Sequence, residues 1–375
     1  MKNILYINNY MSESIIKKRN NKNIFSQPGN NKVKGIVSSL LTTNSKITII
    51  SSGLVNNKTF KKYKKEYDKL DGCDVIYTSI IDIPFINILS SIRYIYKEIK
   101  RLHKIKKIDN IIFYNYKPEV AYAAYLAKKR LHIPITIEYE DGYSDVKEIS
   151  KLKSLIFTHT EKKVSKYVDS AILVNSKLKE KYDVPSVLVR GVVNKDFYND
   201  CKKYKKKKNK VFTVLYSGGL DKSRGINVLI ESLKLIDIDF KLIITGKGKI
   251  SSNDERIDFK GFVSYEAMKA MMMQSDLLVQ CQLVNDTFST SSFPSKLFEY
   301  IATDNYILSS KVSDVEDFAG NSILYYDNDD PADLAKKILE VYDLWYNNRV
   351  NKSLDKLCKE YLPETMGNKI YNILK

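Results

Sequence analysis

Residues 214–235 read VLYSGGLDKSRGINVLIESLKL, and the fold follows from this stretch. The run 211–216 is β-branched and aromatic, as a buried strand is. Gly218 and Gly219 break it, Asp221, Lys222 and Arg224 follow, and from Ile226 apolar residues return at helical spacing. A strand that passes through a glycine turn into a helix is half of a parallel βα unit. Downstream the alternation continues, with strands over 241–245 and 276–280 and helices over 265–273, 294–302 and 331–345. The last helix is opened by Asp329-Asp330-Pro331, a cap residue before proline in the first turn. Upstream the same grammar gives strands over 4–7, 46–50, 74–78, 110–114, 133–138, 170–174 and 186–189. Helices over 33–41, 85–105, 119–131 and 151–167 lie between them. The expectation is an α/β fold with parallel sheets and right-handed crossovers.

Between the two series lies KKYKKKKNK (202–210), seven lysines in nine residues, which reads as a solvated linker. The chain of 375 residues exceeds the size of one core, so two domains are expected. They are an N-terminal domain over 1–200 and a C-terminal domain over 211–354, joined by 201–210. A helix near 355–375 is expected to pack back on the first domain.

An apolar content of 43% with 28% charged residues is that of a soluble globular protein. The longest apolar stretch, near residues 83–96, is interrupted by Asn87, Ser90, Ser91 and Arg93, too often for a spanning helix. The first residues, MKNILYIN, read as a buried strand and not as a signal segment. Cys73, Cys201, Cys281 and Cys358 show no paired spacing, and His103, His132 and His159 are scattered, so neither disulfides nor a metal site is expected. These features favour a reduced cytoplasm. The net charge of +18 implies an anionic partner, whether nucleic acid, anionic lipid or a phosphorylated substrate.

Two strings carry chemistry. In the glycine loop, Gly218 and Gly219 allow close backbone approach, the following helix offers free N–H groups, and Lys222 and Arg224 add positive charge, which suits a diphosphate. An ordinary strand-to-helix turn reads the same way. The second string is SSFPSKLFEYI (291–301). Pro294 suits a first helical turn, while Phe293, Leu297 and Ile301 make a buried stripe. Ser295, Lys296 and Glu299 share another face, placing a hydroxyl and an ammonium for phosphate and a carboxylate for ribose hydroxyls. The plain alternative is a capped surface helix with a Lys–Glu pair.

With both strings in order, together with KLIITGKGK (241–249) and IDFKGFVSYEAMKAMMMQSDLLV (257–279), residues 186–345 resemble the donor domain of the GT-B glycosyltransferases. The similarity is to the retaining enzymes of family 4 in the sequence-based classification. This resemblance implies two Rossmann-like domains facing across a cleft and a nucleotide-sugar donor, UDP- or GDP-linked, with no cofactor and no required metal. It implies that Gly218, Gly219, Lys222 and Arg224 flank the donor diphosphate, with Ser295 and Lys296 opposite. Glu299 would hold the ribose, and Gly246 and Val263 would line the nucleoside pocket. The sequence departs from the family in three places. Ser291 stands where a first glutamate is usual, Gly219 replaces the usual arginine, and Arg224 stands where a lysine is usual. The missing carboxylate resembles enzymes of bacterial surface-polysaccharide synthesis.

The first domain is expected to hold a saccharide or polyprenyl-linked acceptor. Pro28-Gly29-Asn30-Asn31 falls where the family has a glycine-containing loop, which gives Gly29 a place facing donor and acceptor. Glu140 and Asp141 follow a strand at the edge where α/β sites form, and either can orient the acceptor hydroxyl or simply cap the next helix. The expected chemical roles thus fall to Glu140, Asp141, Lys296 and Arg224. Asp237-Ile238-Asp239 matches a metal-binding pattern but reads as a turn. Over 85–108, Phe85, Ile88, Ile92, Ile95, Ile99 and Leu102 form one stripe, and basic residues from Arg93 to Lys107 form the opposite face. That face and the 202–210 run are candidate contacts for an anionic membrane surface, peripheral on its cytoplasmic side. The rival readings are an epimerase or hydrolase on the same fold and a basic nucleic-acid-binding protein. The latter lacks interleaved stacking aromatics.

Overall fold

The computed structural model describes residues 1–19, 26–55, 60–140, 151–285, 293–349 and 354–375, and every β-branched run named above forms a strand in it. Residues Met1–Val192 with Pro363–Lys375 form one compact unit, and Val193–Leu362 form another.

The first unit is built on strands β1 (Lys2–Asn8), β2 (Ser45–Ser51), β3 (Lys62–Tyr63), β4 (Glu66–Leu70), β5 (Cys73–Tyr77), β6 (Ile80–Ile81), β7 (Asn110–Tyr114), β8 (Ile135–Tyr139), β9 (Ser170–Leu173) and β10 (Ser186–Leu188). Its helices are α1 (Glu13–Arg19), α2 (Gln27–Leu41), α3 (Ile86–Ile105), α4 (Pro118–Leu131) and α5 (Lys151–Val164). The main sheet has the order β10-β9-β8-β7-β1-β2-β5-β4, parallel except for the β4–β5 hairpin. The hairpin turns at Asp71-Gly72, both with left-handed φ, which is the twist a two-residue hairpin needs. Ile4, Leu5, Tyr6 and Ile7 of the central β1 are all buried, as expected of a parallel strand covered on both faces. A smaller antiparallel pair, β3 with β6, stands apart from this sheet.

The loop expected at residues 28–31 is instead the first turn of α2. Ser26 caps the helix by accepting the Gly29 N–H at 3.2 Å, and Pro28 sits in the first turn. Serine followed by proline two residues later is a start signal, and it moves Gly29 from a ligand-facing loop into a helix.

The second unit contains α6 (Lys195–Lys203), β11 (Phe212–Ser217), α7 (Ile226–Leu233), β12 (Phe240–Thr245), β13 (Ile257–Gly261), α8 (Tyr265–Gln274), β14 (Leu277–Gln280), α9 (Leu297–Tyr300), β15 (Tyr306–Ser310), α10 (Val315–Ala319), β16 (Leu324–Tyr326), α11 (Pro331–Tyr346) and α12 (Asp355–Glu360). Its sheet is parallel throughout in the order β13-β12-β11-β14-β15-β16. Numbered from its own first strand this is 3-2-1-4-5-6, the dinucleotide-binding order, with the reversal between β11 and β14. Phe212, Val214, Leu229, Leu233, Leu242, Leu277, Leu334 and Ile338 fill its core.

The lysines of the run are exposed, as a solvated stretch should be, but the run does not divide the units. The division between units falls at Val192, ahead of it, and Lys206 is docked. Its Nζ donates to the Ser275 carbonyl and, at 2.8 Å, to Asn305 Oδ1, with Asp276 at 3.1 Å. The buried Asp276 carboxylate thus holds the end of a lysine that otherwise stays exposed. The last helix, α13 (Pro363–Ile373), packs on α2 in the first unit. A side chain at Gly367 would stand 2.1 Å from the Ser39 carbonyl oxygen, so glycine lets the two helices meet.

Candidate functional site

In a doubly wound sheet the ligand edge is the one where strands end, at the point of reversal. In the second unit this edge is formed by Ser217 to Gly219, by Thr245 and Gly246, and by Gln280 to Gln282. The glycines there serve backbone-to-backbone contact. A Cβ on Gly246 would lie 1.6 Å from the Gly218 carbonyl oxygen, and one on Gly225 would lie 1.7 Å from that of Cys281. The loop is further tied down by Gly218 N–H to Thr245 O at 3.0 Å, Leu220 N–H to Lys247 O at 3.1 Å and Tyr216 O–H to Gly219 O at 2.6 Å. The glycine amides expected to face phosphate are therefore partly engaged within the protein. What the loop presents outward is side-chain charge. Lys222 is exposed, and Arg224, in the 3₁₀ turn before α7, leans on Gln282 Oε1 at 3.5 Å and toward Asp221 at 3.7 Å.

The second string also folds differently from the expectation. The helix expected over 294–302 contracts to the single turn α9, entered through turns at Pro294 and Ser295 whose carbonyls accept the Leu297 and Phe298 N–H groups. A single turn sums few peptide dipoles, so its start contributes little field, and the charge available is that of side chains. Phe293 and Phe298 anchor the turn by packing with Phe318, and Tyr300 reaches under it. The buried Tyr300 hydroxyl lies 3.5 Å from the Val279 carbonyl and also meets the Ser217 backbone, so α9 sits over the reversal point between β11 and β14.

Around that point the expected residues gather. Lys296 Nζ pairs with Glu299 Oε2 at 2.7 Å and touches Met268 Sδ at 3.2 Å. The Tyr265 hydroxyl also bonds Glu299, and burial together with that carboxylate pushes the phenol up. Tyr265 opens α8, capped by Ser264 directly after the half-buried Val263, and Gly246 N–H donates to Gly261 O at the end of β13. Gly218, Gly246, Val263, Lys296 and Glu299 therefore belong to one edge, with Arg224 beside Gln282 on the same edge. Ser295 is exposed beside Lys296. Tyr265, Met268 and Gln282 join them without any signal in the sequence, since each reaches the site through a fold contact. Ser291 lies outside the described residues. Asp237-Ile238-Asp239 stands in the turn leading into β12, at the opposite end of the strands. Among the described residues no three His, Cys, Asp or Glu side chains gather as metal ligands.

The first unit has its own edge, made differently. Glu138, in β8, is buried and accepts a hydrogen bond from the Tyr6 hydroxyl on β1. Burial, and then the neighbouring Glu140 charge, push its carboxyl well above the usual range. Two residues on, Glu140 faces the same side of the strand line. It pairs with Lys32 of α2 at 3.0 Å, accepts the Tyr114 hydroxyl at 2.6 Å, and its N–H is held by Asn115 Oδ1 at 2.8 Å. Lys32 also donates to the Val189 carbonyl at 2.7 Å, so two separate segments hold its ammonium. Asp141 lies outside the described residues. Gly29 lies in the first turn of α2, three residues before Lys32. Its neighbour Asn30 pins the chain after β1 through Met11, at 2.7 and 3.1 Å.

Residues 211–343 match the family described as glycosyl transferases group 1. The chain is 22% identical over 303 residues to an uncharacterized glycosyltransferase of Methanocaldococcus jannaschii, covering 79% of this chain and 83% of that one. A solved glycosyltransferase from Rickettsia africae is similar with a TM-score of 0.69 at 16% identity, over 100% of this chain and 98% of that chain. HepE of Anabaena, solved with UDP, is similar with a TM-score of 0.62 at 12% identity, over 99% of both chains. The two solved structures share the GT-B architecture with this chain.

Proposed function

We propose, from the premise that this chain is a glycosyltransferase of GT-B fold carrying a group 1 domain over residues 211–343, that it transfers a sugar from UDP to a saccharide or lipid-linked acceptor with retention of configuration, in cell-surface polysaccharide synthesis. One observation carries the donor half of this reading. Lys296, Glu299, Gly246 and the Gly218 loop share the edge at the strand reversal, with Arg224 beside them. UDP as the base-bearing group is supported by HepE, which was solved with UDP.

On this reading Lys222, Arg224 and Lys296 grip the diphosphate, and Ser295 adds a hydroxyl. Glu299 exchanges its lysine partner for the ribose hydroxyls, while Gly246 and Val263 border the nucleoside. The bond from the anomeric carbon to the β-phosphate oxygen breaks, and a bond to the acceptor oxygen forms on the same face. The acceptor proton passes to the departing phosphate. The cationic groups stabilise charge growing on that phosphate, the task a metal serves in other transferases. Glu140, held by Lys32, Tyr114 and Asn115, orients the acceptor hydroxyl, and the basic face of α3 with the lysines of 202–210 draws the enzyme to anionic headgroups. Each basic residue near such a surface contributes about 1 kcal/mol.

A thermal-shift panel of UDP, GDP and ADP, run in chelator, tests the donor assignment. UDP is expected to raise the melting temperature by mass action. No shift with any of them, or a shift only with added Mn²⁺, contradicts it. Incubation with donor alone separates transfer from the epimerase or hydrolase reading, because only the latter consumes donor without acceptor.

A further inference from the structure

The α3 helix departs from its expected amphipathic plan at one end. Ile95 and Ile99 are buried as expected, but Phe85, Ile86 and Leu89 at its start are 54, 45 and 69% exposed. Scattered exposed apolar residues are ordinary, whereas a cluster is not. These form a cluster, because Ile86 and Leu89 lie one turn apart on one face with Phe85 immediately before them. A fourth exposed apolar residue stands next to the β3–β6 pair that leads into α3. The β3–β6 register pairs Lys62 with Ile81, and the Asp82 N–H donates to the Lys61 carbonyl at 2.8 Å. Phe60, 71% exposed, directly precedes Lys61 of this pairing, and the Ile83 carbonyl accepts the Asn87 N–H of α3.

Two of these residues are held in an unfavourable backbone. Phe60 and Phe85 have φ of 54° and 63°, a region that bulky side chains rarely adopt. Such outliers persist where surrounding structure imposes them, and they gather at functional segments. The surroundings are basic. Lys61, Lys62, Arg93 and Lys97 are exposed around the cluster, and Asp82, the acid of the intervening turn, is buried. The start of α3 also lies on the same edge as Glu140. It follows β5 at the end where the strands finish, since α3 must run back before β7 can begin parallel to the others.

We propose that Phe60, Phe85, Ile86 and Leu89 form a wedge that inserts into an anionic lipid surface, with the neighbouring lysines and arginine on the headgroups, so that the acceptor is taken from the membrane. This rests on the glycosyltransferase reading above and narrows its acceptor to the lipid-linked class. It differs from attraction by the basic face of α3 alone, which would be released by salt. An apolar wedge keeps its hold when charges are screened.

The test uses the full chain with sedimented vesicles of phosphatidylcholine with or without phosphatidylglycerol. The wild type is expected to bind the anionic vesicles and to stay largely bound in high salt. The Phe85→Ser/Leu89→Ser variant, which changes exposed side chains only, is expected to melt as the wild type does. It should shift UDP binding not at all and lose vesicle affinity by roughly tenfold or more. In an L89W variant, brominated lipid is expected to quench the added fluorescence but not that of the native Trp345. Binding by the wild type that vanishes in salt, or a serine variant that binds equally well, overturns the wedge. So does a dimer in solution that the serine variant breaks, which assigns the cluster to a second copy. Vesicle binding without any UDP binding would leave the wedge standing and remove the donor reading.

Discussion

The two sheet edges end on the same topology and are built from opposite materials. In the second unit the edge at the β11–β14 reversal is a backbone construction. Gly218 meets Gly246, Gly225 meets Cys281, and cationic side chains stand around the seam. In the first unit the edge near β1, β7 and β8 is a side-chain construction, in which Glu138, Glu140, Tyr6, Tyr114 and Lys32 hold one another by hydrogen bonds and an ion pair. The contrast teaches what each edge is suited to. Close backbone packing with exchangeable cations receives a large anion. A pre-ordered, half-buried carboxylate orients one small group, such as a hydroxyl.

That contrast predicts unequal responses to mutation. Glu299→Ala and Lys296→Ala are each expected to lower transfer by about 100-fold or more, with the melting temperature almost unchanged. Their mutual pair is an i,i+3 contact whose members remain partly exposed, so it holds little stability. Steady-state kinetics with a melting curve checks this. Full activity in both variants would reduce the edge to a surface ion pair.

Gly246→Ala attacks the backbone construction. With 1.6 Å between its Cβ and the Gly218 oxygen, the loops must separate, at about 3 kcal/mol of stability, and UDP binding should fall with it. Denaturant unfolding reads the loss. A variant as stable as the wild type would show that the seam is not tight.

Lys32→Met attacks the side-chain construction. It leaves Glu140 beside buried Glu138 without its cation, and about 2 kcal/mol of stability should be lost at neutral pH, since the pair is partly solvated. Melting curves should show the deficit shrinking on acidification, as the carboxyls take up protons. A deficit independent of pH would mean that Lys32 serves packing alone.

Glu138→Gln is expected to give the smallest effect, on the order of 1 kcal/mol, and of opposite sign. The native carboxyl is raised above its unfolded value, so the folded state binds the extra proton. Its burial therefore costs stability as pH rises from the ordinary glutamate range through the raised value. The glutamine variant should match the wild type in acid and exceed it in alkali. Thermal melts across that range check the sign, and the reverse trend would mean that Glu138 is ionised in the fold.

The same contrast explains which parts of the molecule the sequence disclosed. The second edge was legible because its residues sit in two short strings, and glycines and proline carry their backbone meaning locally. Its helix was overestimated because FPSKLFEYI has helical periodicity, while the aromatic anchors Phe293 and Phe298 on Phe318 hold the chain in turns for most of that length. The first edge was legible only at Glu140. Tyr6, Lys32 and Tyr114 come from separate elements, and one lysine among 62 basic residues carries no mark. The strands of both sheets could be read from β-branched runs. The edge strands β4, EYDKL, and β13, IDFKG, and the three-residue β16 could not, since charge and brevity hide their pairing. The Ser26 and Pro28 start signal was present and sets the beginning of α2, whereas Lys206 shows that a lysine run can still be pinned by a single carboxylate.

The central claim is the grip on a nucleotide diphosphate by the second edge. Isothermal titration of UDP in chelator into the wild type and into Arg224→Ala tests it most directly. The account predicts binding without divalent metal and an affinity roughly 10- to 100-fold weaker in the variant, the loss of one charged hydrogen-bonding group. Equal affinity in both proteins, or binding that appears only with added metal, would contradict it.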